Sequence, residues 1–487
     1  MDLKTAKKIY MIGIKGVGMT AIAQVLKLRG AEVTGSDTHE KFFTDEVLEK
    51  SGIKFYEGFD VVNLEKEKPD LVIYSTAYTD ENPELAAARK SGVTILSYPE
   101  VLGEILKEGF GIAVSGTHGK TTTTAMLGFV LQELGADPTV IVGSAVPQLG
   151  GNARAGRGEH VVIEADEYQN KFLYFDPRAI VLTSAEYDHP DFFKTPEDYI
   201  DAFRKFVAKI PTDGFLVACA DDKNVLEISK SAKCKIISYG LTAGDWQARL
   251  PASPKLQRGE PARQAKNIIQ KNGGNMPPHQ NFWCGGVEFE VFEKGESRGV
   301  FKIQLLGNHN VANALAVIAT AKELGFDLEK IREALEKFSG AVRRFEIKGE
   351  VGGVLVIDDY GHHPTEIRVT LEAARQKYPD RRIWCVFHPH TFTRTKALLK
   401  DFSKSFGGAD KIIVIDIYGS AREVAGGVSS RDLVEAIKKE GNDALYIPTI
   451  SEAAEFLAKE VKSGDVVITM GAGDVWRVGE LLLEKLK

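Results

Sequence analysis

An α/β fold of three domains is predicted by three observations. Short apolar runs of strand length alternate with helix-length segments from Ile9 to Met470. Two Gly-rich turns, at Gly13 to Gly18 and at Gly116 to Gly119, each stand between such a run and a helix. Acids and histidines recur where apolar runs end, which is where parallel sheets bind ligands. The chain of 487 residues has room for about three domains of ordinary size.

The bulk numbers narrow the class. Apolar residues make up 43% and charged residues 27%, enough for sizeable cores under a soluble surface. A net charge of −6 leaves no footprint for nucleic acid. No apolar run reaches the length of a membrane span, and Ile9 to Ile14 is strand-sized rather than a signal peptide. The four cysteines have no C-x-x-C spacing, so a reducing cytoplasm is expected, with neither zinc nor disulfides.

The first domain, residues 1–103, is expected to be Rossmann-like. Lys8 to Gly13 reads as a strand, Met19 to Leu26 as a helix, and Ala31 to Ser36 as a second strand ending at Asp37. Glycines at Gly13, Gly16 and Gly18 with an acid about 20 residues on resemble the dinucleotide fingerprint. Its third position is Ala21 rather than Gly, and a sugar nucleotide diphosphate could use the same helix N-terminus. Two further strands, Asp70 to Tyr74 (followed by Ser75) and Thr94 to Ser97, complete the unit.

The second domain, residues 104–340, is expected to be a P-loop ATPase-like sheet. Gly111 to Val114 is a strand, and Ser115-Gly116-Thr117-His118-Gly119-Lys120-Thr121-Thr122 turns into a helix. Gly116 and Gly119 allow a phosphate close to the backbone, Lys120 adds positive charge, and the Thr121 hydroxyl is placed to ligate Mg²⁺. The full motif has Gly where Val114 stands, so this is the shortened G-x-x-G-K-T form. Strands His160 to Ile163 and Ala179 to Thr183 run into Glu164-Ala165-Asp166-Glu167 and Glu186-Tyr187-Asp188-His189. Glu164 and His189 are the expected metal ligands beside Thr121. Residues 242 to 286 lose periodicity and read as a long surface excursion. Two strands follow, then a helix opening at Gly307-Asn308-His309-Asn310, whose side-chain amides can hold a purine edge or cap the helix.

The third domain, residues 341–487, is again expected to be Rossmann-like. Strands end in Asp358-Asp359-Tyr360-Gly361-His362-His363-Pro364-Thr365-Glu366, in His388-Pro389-His390-Thr391-Phe392-Thr393-Arg394-Thr395, in Asp416 to Glu423 and in Gly471 to Asp474. Histidines and Arg394 at strand ends suggest a site for a small carboxylate.

These motifs, in this order, resemble the Mur ligases, the ATP-dependent amide-forming enzymes of peptidoglycan synthesis. The resemblance covers nearly the whole chain and implies roles. Gly13, Gly16, Gly18, Met19, Ser36, Asp37 and Ser75 would hold a UDP-sugar. Gly116, Thr117, His118, Gly119, Lys120, Thr121 and Thr122 would hold ATP phosphates, and Thr121, Glu164 and His189 would ligate Mg²⁺. His309, Asn310 and Asn313 would lie at the adenine, Asp359 at the ribose, and Arg344 at the phosphates. His362, His390 and Arg394 would recognise the amine substrate. Lys120, Glu164, His189 and Arg344 would form the catalytic set, in a monomer or homodimer.

Two branches of the family compete. The Asp358 to Glu366, His388 to Thr395 and Asp416 to Glu423 segments resemble the branch that joins L-alanine to UDP-N-acetylmuramate. Glu186 to Phe193 looks closer to the recycling branch that attaches a tripeptide to the same sugar. Gln169, Asn170, Lys171, Ser184 and Pro190 also depart from the alanine-adding pattern. The third domain chooses the amine in this family, so the first branch is expected. Outside the family, an NAD-dependent oxidoreductase on Gly13 to Asp37 or a non-catalytic nucleotide-binding regulator would be the readings to exclude.

Overall fold

The computed structural model describes residues 3, 5–250, 286–419, 423 and 426–487. Most of the expected 242–286 excursion therefore lies outside the described residues, as do Ser420, Ala421 and Arg422. One part of that expectation is corrected. Trp246–Arg249 is a strand, with Trp246 and Ala248 buried on alternate positions, so the ordered sheet extends further than the loss of periodicity suggested.

Three sheets organise the chain. The first has five parallel strands in the spatial order Lys54–Glu57, Glu32–Asp37, Lys8–Ile12, Leu71–Tyr74, Thr94–Ser97. The order turns back on itself beside Lys8–Ile12, the switch point where the Gly13 turn sits. Helix Tyr98–Leu106 runs through residue 103 and ends four residues before the next sheet begins at Phe110.

The second sheet has ten strands. At its centre lie Ala179–Leu182, Phe110–Ser115 and His160–Glu164, parallel and almost wholly buried. Strands that bury both faces read as unbroken apolar runs, which is why these were visible in the sequence. Phe215–Cys219, Lys235–Gly240 and Trp246–Arg249 extend it on one side, followed by the antiparallel hairpin Val287–Glu293 and Glu296–Ile303. Thr139–Val146 and Gly151–Arg154 extend the other side, and the helix Val17–Leu28 of the first unit packs on them. Asn152 fixes that contact by donating to the Val17 carbonyl at 2.7 Å.

The third sheet runs Glu346–Val351, Val354–Asp359, Val466–Met470, Ile383–Phe387, Lys411–Val414, Ala444–Tyr446, parallel except for the first strand. Two apolar clusters, one on each face, hold its helices. The architecture is thus α/β throughout, with Rossmann-like end domains around a central phosphate-loop sheet.

Candidate active site at the junction of the central and C-terminal domains

The phosphate loop joins the central strand Phe110–Ser115 to helix Lys120–Glu133. Gly116 has φ +134 and Gly119 φ +81, conformations an L side chain rarely adopts. A Cβ on Gly116 would strike Thr183 and the Ser184 backbone, and one on Gly119 would strike Asn313. Thr121 and Thr122 are both buried in the first turn of the helix. Lys120 folds over the loop: Nζ donates to the Gly116 carbonyl, to the Thr117 carbonyl at 3.2 Å and to Glu167 Oε2 at 2.9 Å. Burial opposes its charge, but Glu167 and Asp166 outweigh this and raise its pKa.

Two clusters flank the loop. Thr121 Oγ1 donates to Glu164 Oε1 at 2.8 Å, and Glu164 Oε2 accepts the Gly143 N–H at 2.6 Å. On the other side Asp166, Glu167 and His189 bring ligand atoms within 4.8 Å of one another. The two expected ligands, Glu164 and His189, thus belong to different clusters. Glu167 was not among the expected residues. It is 1% exposed and meets Lys120, the Tyr199 hydroxyl at 3.1 Å and His189 at 3.6 Å. The signal was present in the sequence, since Glu167 ends the same acidic run as Glu164.

The donor set fits a small hard cation, because it offers a hydroxyl and several carboxylate oxygens beside an anion-binding loop. It also fits a polyphosphate. Arg344 crosses from the C-terminal domain, its Nη2 donating to Thr121 Oγ1 at 3.2 Å, while its buried Nε has no hydrogen-bond partner among the described residues. Its neighbour Arg343 turns the other way and bonds Asp358 at 2.8 Å and the Gly471 and Gly473 carbonyls at 2.7 and 2.9 Å.

The helix Asn308–Glu323 brings its first turn to the loop. Asn313 Nδ2 donates to Asn310 Oδ1 at 3.1 Å, and Asn310 Nδ2 lies 2.7 Å from the Leu306 carbonyl and 3.1 Å from His309 Nε2. These side chains form their own network and make no helix cap. Burial pushes the His309 imidazole down to about 4, so it is neutral at pH 7. Asp359, expected at the ribose, accepts the Phe345 and Gly361 N–H groups, each at 2.8 Å, and fixes the turn at the junction. Burial pushes its carboxyl up to about 6.

His362, His390 and Arg394 do come together. Arg394 Nη1 donates to His390 Nδ1 at 3.1 Å, and the His362 and His390 rings meet edge to face with centroids 6.0 Å apart. Burial pushes both imidazoles down, to about 4 and about 3, so both are neutral at pH 7. The expectation for Arg394 needs one correction. Its Nε and Nη2 edge is already engaged by Asp188 of the central domain, at 2.8 and 3.2 Å. Nη1 in turn meets the His390 ring at 3.1 Å and the His390 carbonyl at 3.4 Å, so every nitrogen of the guanidinium has a partner. Burial alone would raise the Asp188 carboxyl, but the guanidinium outweighs it and holds it well below the usual range.

His118, expected at the phosphates, has another engagement. Its Nε2 meets Glu186 at 2.9 Å and its Nδ1 meets Glu366 of the C-terminal domain at 3.2 Å. Burial opposes the charged ring, but the two carboxylates push it up to about 9. Backbone strain gathers here as well. His189, Arg343, Phe345 and Thr391 all have φ between +52 and +66, a region that costs non-Gly residues of order 1–3 kcal/mol each.

In the first domain Gly13, Gly16 and Gly18 form the expected turn. Tyr78 and Ser75 close against Gly13, and Tyr98 against Gly18, leaving no room for side chains. Asp37 accepts the Lys15 N–H at 2.7 Å and the Tyr78 hydroxyl at 3.0 Å. Ser36 is corrected: it is fully buried, with its hydroxyl donating to Glu84, so its side chain faces the core. Met19 is likewise buried in the apolar core, on the helix that starts at Val17.

Comparison with known proteins identifies the three units. Residues 8–109 match the model for the Mur ligase family catalytic domain, 114–321 the Mur ligase middle domain, and 343–473 the Mur ligase glutamate ligase domain. The chain belongs to the Mur ligase family. Within it, the chain is 41% identical to the UDP-N-acetylmuramate–L-alanine ligase of Caldanaerobacter subterraneus, over 100% of this chain and 99% of that one. It is 42% identical to the ligase of the same name from Desulfitobacterium hafniense, over 98% and 99%. Among solved structures, the UDP-N-acetylmuramate–alanine ligase of Thermotoga maritima superposes with a TM-score of 0.79 at 30% identity, covering 98% of both chains. A murein peptide ligase from Psychrobacter arcticus gives 0.70 at 26%, again over 98% of both.

Proposed function

We propose that this chain is an ATP-dependent ligase that joins L-alanine to the lactyl carboxylate of UDP-N-acetylmuramate through an acyl phosphate. The observation that carries the reading is the meeting of a phosphate loop and a buried guanidinium with two imidazoles at one domain junction. A carboxylate cannot release oxide, so it must first be activated. Its oxygen attacks the γ-phosphorus of ATP and ADP leaves. The free amine then attacks the acyl carbon, phosphate leaves, and the nitrogen gives up a proton.

The residues divide this work. The first domain's Gly13 turn offers N–H groups at a helix N-terminus to the sugar diphosphate. Lys120 and the loop N–H groups hold the phosphates and offset charge on the transferring group. Arg344 adds a second cation from the other domain. Thr121 with Glu164, and His189 with Asp166 and Glu167, would each hold a magnesium ion; the ions would neutralise phosphate oxygens. Asn310 and Asn313 would line the adenine. Arg394 and the two imidazoles would orient the amino acid.

The relatives at about 40% identity favour the alanine branch over the recycling branch. The test is a coupled assay of ADP release with UDP-N-acetylmuramate and either amine. L-alanine should be used far better than L-alanyl-γ-D-glutamyl-diaminopimelate. Preference for the tripeptide would overturn the assignment.

A further inference from the structure

One carboxylate touches both halves of the candidate site. Glu366 sits in the first turn of helix Pro364–Lys377. Its Oε1 meets His118 Nδ1 on the phosphate loop at 3.2 Å. Its Oε2 accepts the backbone N–H groups of His362 at 2.9 Å and His363 at 3.2 Å, the segment that carries the amine pocket. His118 is gripped from its own domain too. Its N–H donates to Ser184 at 2.9 Å, and its ring packs on His363 with centroids 4.7 Å apart. Glu186 closes the ring of contacts, taking His118 Nε2 and the Thr365 hydroxyl at 2.7 Å. The imidazole therefore lies between a carboxylate of each domain, and its backbone is part of the turn that receives phosphate.

We propose that Glu366 is a positioning residue that couples the phosphate loop to the amine pocket, so that ATP binding and closure of the C-terminal domain assist each other. The inference rests on the ligase reading for its substrates. If the loop shifts when phosphate enters, His118 moves with it, and the pair transmits that shift to the backbone at His362. The coupling is reciprocal, since each site biases the same docked arrangement. Apart from Glu186, the charged and titratable groups that face the pair include His363, Arg344, His362, His309, Asp359, Tyr360 and Arg394, and among the described residues none takes the place of Glu366 on His118 Nδ1.

The test uses Glu366→Gln, which keeps the side-chain size and an oxygen for the two N–H groups but loses the charge. In the wild type, the KM for L-alanine should fall as ATP rises to saturation. The variant should lose at least about fivefold of that dependence, while its Kd for a non-hydrolysable ATP analogue with Mg²⁺ stays within about twofold. Small-angle scattering should show the wild type compacting on addition of the analogue and the variant failing to do so. His118→Asn should reproduce the loss, and the double variant should be no worse than the weaker single one. This second variant serves if Glu366→Gln does not fold. Unchanged ATP dependence and compaction in a folded variant overturn the proposal. So does a loss of analogue affinity as large as the loss of coupling, or no ATP dependence in the wild type. If the wild type does not use L-alanine, the substrate reading fails, but the scattering result still decides the coupling.

Discussion

The guanidinium of Arg394 and the carboxylate of Asp188 meet edge to edge across two domains, Nε to Oδ1 at 2.8 Å and Nη2 to Oδ2 at 3.2 Å, both side chains almost wholly buried. Such a fork is the geometry a guanidinium offers any carboxylate, and here the protein supplies one itself. Arg394→Ala should raise the KM for L-alanine at least about tenfold, roughly 1.4 kcal/mol, with little change for ATP. Lys should rescue only in part, because a point charge lacks the fork. An unchanged KM for L-alanine would take Arg394 out of the pocket.

Asp188→Asn tests the other partner. Arg394 would keep its charge without its counterion in a buried site, a loss of about 3 kcal/mol or more. The variant should unfold at lower denaturant concentration, and alanine use should fall with it. A variant as stable as the wild type would mean that the pair is not formed in solution.

Lys120→Ala should leave the fold intact and remove turnover, a cost of at least about 3 kcal/mol in the transition state. Circular dichroism and a melt establish folding, and single-turnover ADP release reads the chemistry. A folded variant that keeps more than about a tenth of wild-type kcat would remove Lys120 from the mechanism.

Metal dependence should separate the two acidic clusters from the sugar site. Ala variants of Glu164 and His189, and Glu167→Gln, should raise the Mg²⁺ concentration for half activity much more than the KM for UDP-N-acetylmuramate. Unchanged magnesium dependence in all three would make these residues structural.

The His118 link gives a pH signature. Its pKa is raised from the ordinary 6.5 to about 9, so its stabilising share is fully present below 6.5 and disappears as pH rises through about 9. Glu186 works the other way: burial would raise it, but His118 and His363 lower it to about 2, so its share is lost only as pH falls toward 2. The melting difference between wild type and His118→Asn should therefore be large near pH 6 and vanish above the folded pKa. A difference that stays constant from neutral pH into the alkaline range would show that the ring is not charged between its carboxylates.

Much of this was legible in the sequence, and the reasons are physical. The central strands bury both faces, so Ile112 to Val114 and Ala179 to Leu182 stand out as apolar runs, and the phosphate loop is a local motif. Edge strands such as Lys54–Glu57 and Glu346–Val351 are mixed and half-exposed, so they carry no such signal. Partnerships across domains were hidden. Asp188 and Arg394 are 206 positions apart, and His118 and Glu366 are 248 apart, so no spacing rule joins them. Ser36 shows the opposite failure. The resemblance put it at the sugar nucleotide, but it lies inside strand Glu32–Asp37, fully buried, with its hydroxyl donating to Glu84.

The two consecutive arginines at the junction set a length requirement on the chain. Arg343 is bolted to the C-terminal sheet through Asp358, Gly471 and Gly473, and Arg344 reaches back to Thr121. Interdomain linkers usually tolerate insertion because little depends on their reach. Here anchor and arm share one peptide bond, so the segment acts as a crank of fixed throw. A single added residue between them would break that fixed reach, and Arg344 would swing through the wrong arc.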